Sequence, residues 1–327
     1  MRIRTVGRGV AFALLLCGVV AGAAALEAQA TDGRLLLQPQ PSSGGQQNVI
    51  PFMEGWYANE DGTYTVAFGY LNLNQETVVA IPVGEDNRIE VAEYDGMQPT
   101  IFLPGRHRGV FAVTLPADRK GEDVWWNLGA RDGTEEVMRV PGRTSAIAYE
   151  LDWNKRPQGS LHPLVWFESG SGEEGRGPGG IAAGRTVTAT VGSPIVLSIN
   201  ARDPSERDPD DFRSAEGVAL RVVWSTYQSS GDVEFTRHES NPVPEQEEVV
   251  DSTSAAGRRA IARNNNPPGP ESVRLEEGHG LASVIVTFSE PGEYVLRAQV
   301  DNFNAVDSAS NDQCCWTNGY VRVRVTR

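Results

Sequence analysis

The stretch Ala282 to Asp301, ASVIVTFSEPGEYVLRAQVD, limits what this chain can fold into more than any other. Ala282, Val284, Val286 and Phe288 occupy alternate positions, and so do Tyr294, Leu296, Ala298 and Val300 after the Pro291-Gly292 corner. Side chains on a strand change face at every residue, so each set lines one face of a half-buried strand. The segment therefore reads as two strands joined by a tight turn.

The same pattern recurs along the chain, and no segment keeps a helical period. Residues 49–153 hold short strand patterns: Glu54–Tyr57, Tyr64–Tyr70, Thr77–Val83, Ile101–Leu103, Val110–Leu115, Val124–Leu128, Glu135–Val140 and Ala148–Asp152. Turn signals separate them, among them Asn59 to Gly62 and Arg131-Asp132-Gly133. Short strands at this spacing predict an antiparallel sandwich. Residues 154–184 contain SGSGEEGRGPGG and read as a Gly-rich linker with one short strand, Leu164–Phe167. A phosphate-binding loop would need Gly-Lys-Ser/Thr opening a helix, and the Gly-rich run holds no Lys. Residues 185–327 form the second predicted sandwich, with strands at Val187–Val191, Ile195–Ala201, Leu220–Tyr227 and Tyr320–Thr326 and a polar insertion at about 237–280. The expected fold class is all-β: two tandem Ig-like antiparallel β-sandwich domains after a cleaved signal peptide.

The second half resembles PKD and related bacterial immunoglobulin-like domains. The matching pieces are Thr190 to Leu197 (TVGSPIVL), Val222 to Ser225 (VVWS), Thr287 to Leu296 (TFSEPGEYVL) and the closing Val-x-Val-x-Val. Tyr294 just after its corner resembles the tyrosine corner of such sandwiches. The resemblance implies that Leu197, Trp224 and Leu296 take the central places that antibody-type domains give to Cys, Trp and Cys. It bears on fold, because this architecture hosts many unrelated roles. The whole chain also looks like exported bacterial proteins without assigned activity.

Residues 1–30 read as a secretory signal peptide, with a retained membrane anchor as the rival that the short apolar run, closed by Glu27, disfavours. Arg2, Arg4 and Arg8 precede an apolar run from Val10 to Ala25, and Ala28-Gln29-Ala30 forms a small-x-small cleavage site. Leu16 stands where a lipidation signal at Cys17 would want a small residue. Residues 31–48 (including QPQPSSGGQQN) read as a flexible leader. Loss of residues 1–30 removes three Arg and one Glu and takes the net charge from −14 to −16. Such acidity argues against nucleic acid and anionic membrane surfaces as partners. No second apolar run is long enough to insert in a membrane after cleavage.

Candidate chemistry is sparse. His107, His162, His238 and His279 fall in no nucleophile or metalloprotease motif, and Pro242 stands where His238-Glu239 would need its second zinc ligand. Ser169 and Ser171 lie among glycines without Gly-x-Ser-x-Gly spacing. Asp203, Asp208, Asp210 and Asp211, with Glu206, could converge on calcium, the one cofactor the sequence suggests; a solvated acidic turn is the plainer reading. Trp56, Tyr57, Trp125, Trp126 and Trp316 are candidates for a ligand surface. In each adjacent pair one ring can fill the core and the other face outward. Cys314 and Cys315 are the only cysteines after residue 30. Three outcomes stay open for them: a vicinal disulfide in a turn before the last strand, two free thiols, or an intermolecular bridge. The sequence reading is an exported, non-catalytic binding or structural module of the bacterial envelope or exterior, acting on an unidentified protein or glycan. The alternative is an accessory domain protein or weak secreted hydrolase using loop carboxylates and His.

Overall fold

The computed structural model describes residues 47–131, 136–168, 173–208, 210–211, 218–243, 249–254, 258, 267–309 and 313–327. The expected signal peptide, nearly all of the leader, the Asp132-Gly133 turn, Ser169 and Ser171 lie outside these residues. Among the described residues the chain is all-β, with only two short 3-10 turns, Ala117–Arg119 and Ile147–Tyr149.

The first half supplies β1 (Val49–Ala58), β2 (Tyr64–Asn72), β3 (Val79–Ala80), β4 (Asn87–Ile89), β5 (Ile101–Phe102), β6 (Gly105–Leu115), β7 (Val124–Gly129), β8 (Val137–Gly142) and β9 (Glu150–Leu151). They form a four-stranded sheet β6-β2-β1-β9, a three-stranded sheet β4-β7-β8 and the pair β3-β5. All pairs are antiparallel except β1 with β9. Phe68, Phe102, Phe111 and Trp126 meet ring to ring in the core between them. Apolar burial of this kind is the main favourable term in such a fold.

The second half supplies β10 (Leu164–Trp166), β11 (Gly175–Arg176), β12 (Ile181–Ala182), β13 (Val187–Thr190), β14 (Ile195–Arg202), β15 (Leu220–Gln228), β16 (Val233–Arg237), β17 (Ser272–Leu275), β18 (His279–Phe288), β19 (Gly292–Asp301) and β20 (Trp316–Thr326). One sheet runs β11-β10-β14-β18-β16; the other runs β12-β20-β19-β15-β17, with β13 also on β20. The alternating residues of Ala282–Val300 all face the core between these sheets, and none is more than 1% exposed. Leu197, Trp224 and Leu296 lie in the same core. The Tyr294 hydroxyl donates to the Glu290 carbonyl at 2.7 Å, which ties the corner to its own strand.

Two expectations are revised. The stretch 154–184, read as a linker, contributes β10, β11 and β12 to both sheets of the second sandwich. Its glycines mark close approach: Gly180 has φ +58°, and a Cβ there would collide with the Asn318 carbonyl. Ser160 donates to Asp307 through Oγ (2.6 Å) and through its backbone N–H (3.2 Å), and the buried His162 is held at 2.8 Å from the Trp316 carbonyl. The polar insertion hides a strand, β17, on the edge of β15. Residues Gln46–Arg327 make one compact unit.

Candidate functional site

The outward positions of three neighbouring strands build the site. Inward residues Leu220, Val222 and Trp224 leave Arg221, Val223 and Ser225 on the other face of β15. On β19 the outward set is Val295, Arg297, Gln299 and Asp301; on β20 it is Trp316, Asn318, Tyr320 and Arg322. Register brings them together: Ser225 opposes Arg297, which opposes Tyr320, and Gln299 opposes Asn318. A lone sandwich would show this polar face to water. Here the first sandwich covers it.

The cover is fastened by hydrogen bonds to backbone. Asn318 Nδ2 donates across the junction to the Gly109 carbonyl (2.7 Å) and, within the second sandwich, to that of Pro178 (2.6 Å). The Tyr320 hydroxyl donates to the Val110 carbonyl at 2.7 Å, and Tyr227 donates to that of Met97. Gln228 Nε2 reaches the carbonyls of Gly96 (2.8 Å) and Gln98 (2.7 Å). Tyr227 packs within the first core, and Val295 and Tyr320 pack against it. Gly109 must be glycine, with φ +49° and the Trp316 ring where a Cβ would stand.

Where β6 begins, the cover stops short and a cleft of about 540 Å³ remains, within the usual size of a ligand site. Leu103, Arg106, His107 and Arg108 form one wall; Arg221, Arg297, Gln299, Phe303 and Trp316 belong to the other. Two bulges, near Gly55 and Gly69, shape the first wall. Gly69 leaves room for the Glu54 carboxylate, which a Cβ would strike. Glu54 lies beneath the wall, its side chain 3% exposed, 2.6 Å from Arg106 and 3.4 Å from Arg108. Burial pushes its carboxyl up from the usual range, against the pull of those guanidiniums. Asp301 pairs with Arg221 at 2.9 Å, and burial raises its carboxyl likewise. His107 stacks on Tyr70 and sits 3.0 Å from the Pro104 carbonyl; burial lowers its pKa and favours the neutral ring. Sequence reasoning missed this cleft, although four Arg at outward positions beside amphipathic aromatics were its only available signal.

The residues singled out from sequence are distributed otherwise. Trp56, Tyr57, Trp126 and Trp316 are buried and offer no ligand surface, which corrects that expectation. Their polar atoms find partners inside: Trp56 the Ala146 carbonyl (3.0 Å), Tyr57 the Gln313 carbonyl (3.2 Å) and Trp126 the Asn87 side chain (3.1 Å). Trp125 stays half-buried under the Arg139 guanidinium, 4.0 Å from its ring centre. The acidic loop does not converge on a cation. Asp203 is ion-paired with Arg207 at 2.8 Å and bonded to Ser205, while Asp208 accepts the Asp210 N–H within a turn (2.9 Å). Among the described residues no group of three potential metal ligands comes together. Cys314 and Cys315 are joined by a disulfide, both buried, immediately before β20. His162 is fully enclosed, and burial takes its pKa down to about 4. His238 is half-buried just after β16, and His279 is exposed at the start of β18.

No protein-family model matches the chain, and no curated protein matches it either. Among solved structures it is similar to the D0-D1 domain of intimin (12% identity, 85% of this chain and 97% of that one, TM-score 0.22). It is also similar to a PapD-like domain of human CEP192 (13% identity, 53% and 90%, TM-score 0.24) and to an S-layer protein (10% identity, 85% and 28%, TM-score 0.21). At these TM-scores none of the three carries an argument. No helix among the described residues is long and apolar enough to cross a membrane.

Proposed function

We propose that the protein is an exported, non-catalytic binding module of the bacterial envelope or exterior, and that the cleft between its sandwiches is the ligand contact. The observation that carries this reading is the preformed cleft itself. Its walls are fixed by backbone hydrogen bonds and its lining is polar and aromatic, the mixture that ligand sites use. The titratable groups support binding over hydrolysis. His162 is enclosed away from the cleft, and His107, which lines it, meets a backbone carbonyl rather than a carboxylate. General acid–base work needs a pair within hydrogen-bond reach of the reacting proton. Export is supported by the arginine-led apolar start and the Ala28-Gln29-Ala30 site.

The test is a panel of soluble glycans and peptides, scored for thermal stabilisation of the protein and, in parallel, for cleavage of chromogenic glycosides, esters and phosphates. A ligand that raises the melting temperature without being consumed is the expected outcome. Turnover that disappears on His107→Ala would replace the reading with the hydrolase alternative.

A further inference from the structure

The cleft has a charge opposite to that of the chain. The whole protein carries −14, yet among the described residues no acidic side chain lines this cleft, while Arg106, Arg108, Arg221 and Arg297 do. Among the described residues two carboxylates touch these four cations, Glu54 behind Arg106 and Arg108 and Asp301 behind Arg221, and both are buried below the surface of the cleft. Even with both ionised, the cleft keeps an excess of two positive charges.

Arg297 holds part of that excess in an uncommon way. It is only 5% exposed and pairs with no carboxylate among the described residues. Its Nε donates to Asn318 Oδ1 at 2.9 Å and its Nη2 to Gln299 Oε1 at 2.7 Å, both neutral amides. No bond to a described residue engages Nη1. A buried cation that meets only neutral acceptors is unfavourable in the free protein. The two amides hold the guanidinium plane still, which is the preorganisation that forked recognition of an oxyanion requires. Arg108 and Arg221 line the same cleft with side chains 30% and 49% exposed, so their charges reach solvent at the rim. Leu103, Val223 and Phe303, all partly exposed, give the same cleft an apolar flank.

We propose that this cleft binds small organic oxyanions. The carboxylate or phosphate group sits on Arg297, with Arg108 and Arg221 at the rim, and the apolar body of the ligand lies against Val223 and Phe303. The inference rests on the binding-module reading and names its ligand class.

Calorimetric titration at constant ionic strength tests it, with phenyl phosphate, benzoate, inorganic phosphate and, as the uncharged control, benzyl alcohol. Phenyl phosphate and benzoate are expected to bind at one per chain, inorganic phosphate more weakly, and benzyl alcohol not at all. Arg297→Lys, which keeps the charge and loses the fork, should weaken the aryl oxyanions about tenfold, and Arg108→Gln about threefold, the scale of one strong and one rim charge-assisted bond. Arg108→Gln leaves Glu54 paired with Arg106, so it keeps the test informative should Arg297→Lys fold poorly. Absence of saturable binding by all three oxyanions, or binding that both variants leave unchanged, overturns the inference. Binding of neutral glycans or peptides without any oxyanion would also overturn it and leave the binding-module reading standing. Release of phenol from phenyl phosphate would uphold the oxyanion site and overturn the non-catalytic reading.

Discussion

Asn318 is the residue on which the junction turns, and Asn318→Ala is its sharpest perturbation. The side chain is fully buried. Its amide donates to two carbonyls, Gly109 at 2.7 Å and Pro178 at 2.6 Å, and its oxygen accepts from the Arg297 guanidinium at 2.9 Å. Alanine removes all three bonds and leaves their partners in place. A neutral hydrogen bond contributes about 1 kcal/mol net and one to a charged group about 1.5–3 kcal/mol. The sum is roughly 3–5 kcal/mol, toward the lower end because the Gly109 carbonyl retains Trp316 Nε1 at 3.4 Å. For a unit of this size that corresponds to a fall in melting temperature of roughly 5–8 °C. Urea unfolding followed by fluorescence is the assay, since Trp126 lies in the first core and Trp224 in the second. Both halves should lose stability together, because the bond to Gly109 spans them and the other two brace it from the second sandwich. A loss below about 1 kcal/mol would refute the reasoning, because that is less than even one ordinary buried hydrogen bond is worth.

Three further outcomes are expected. Tyr294→Phe removes the corner bond to Glu290 while keeping the ring, and should cost about 1–2 kcal/mol in the same assay; an unchanged midpoint would show that the hydroxyl is immaterial. His162 titrates near 4 when folded and near 6.5 when free, so below 6.5 the unfolded chain takes up the proton first and stability falls as pH drops toward 4. That difference is worth about 3 kcal/mol, and His162→Gln should flatten this part of the profile; the buried Glu54 and Asp301, whose folded pKa values are raised, act in the opposite sense and are common to both proteins. Mass spectrometry of a non-reduced peptide spanning Cys314 and Cys315 should show it about two mass units lighter than its reduced form, while two freely alkylated thiols or a linked dimer would exclude the intrachain bond.

The core of the second sandwich was legible in the sequence because period-two alternation is a direct image of which side chains leave water. Val284, Leu296 and Val323 needed no structure to be placed. The other face was not legible. Val295, Arg297 and Gln299 read as an outward polar row, and such a row looks the same whether water or a second sandwich satisfies its hydrogen bonds. The hint lay in Tyr227, Trp316 and Tyr320, aromatic bodies with a polar tip, which suit a buried junction that offers backbone carbonyls. The Gly-rich run failed as a linker for a related reason. Composition records conformational freedom, but Gly180 uses that freedom to bring its backbone against Asn318. Asp203 failed as a metal ligand because Arg207, one turn of loop away, satisfies it first.

Differential scanning calorimetry of the intact protein tests the central claim most directly. If the covered face, the cleft and the strands of residues 154–184 make one cooperative unit, a single transition should appear, with calorimetric and van't Hoff enthalpies equal. Two resolved transitions, or a calorimetric enthalpy near twice the van't Hoff value, would mean that the sandwiches unfold independently and that the cleft between them is not a fixed site.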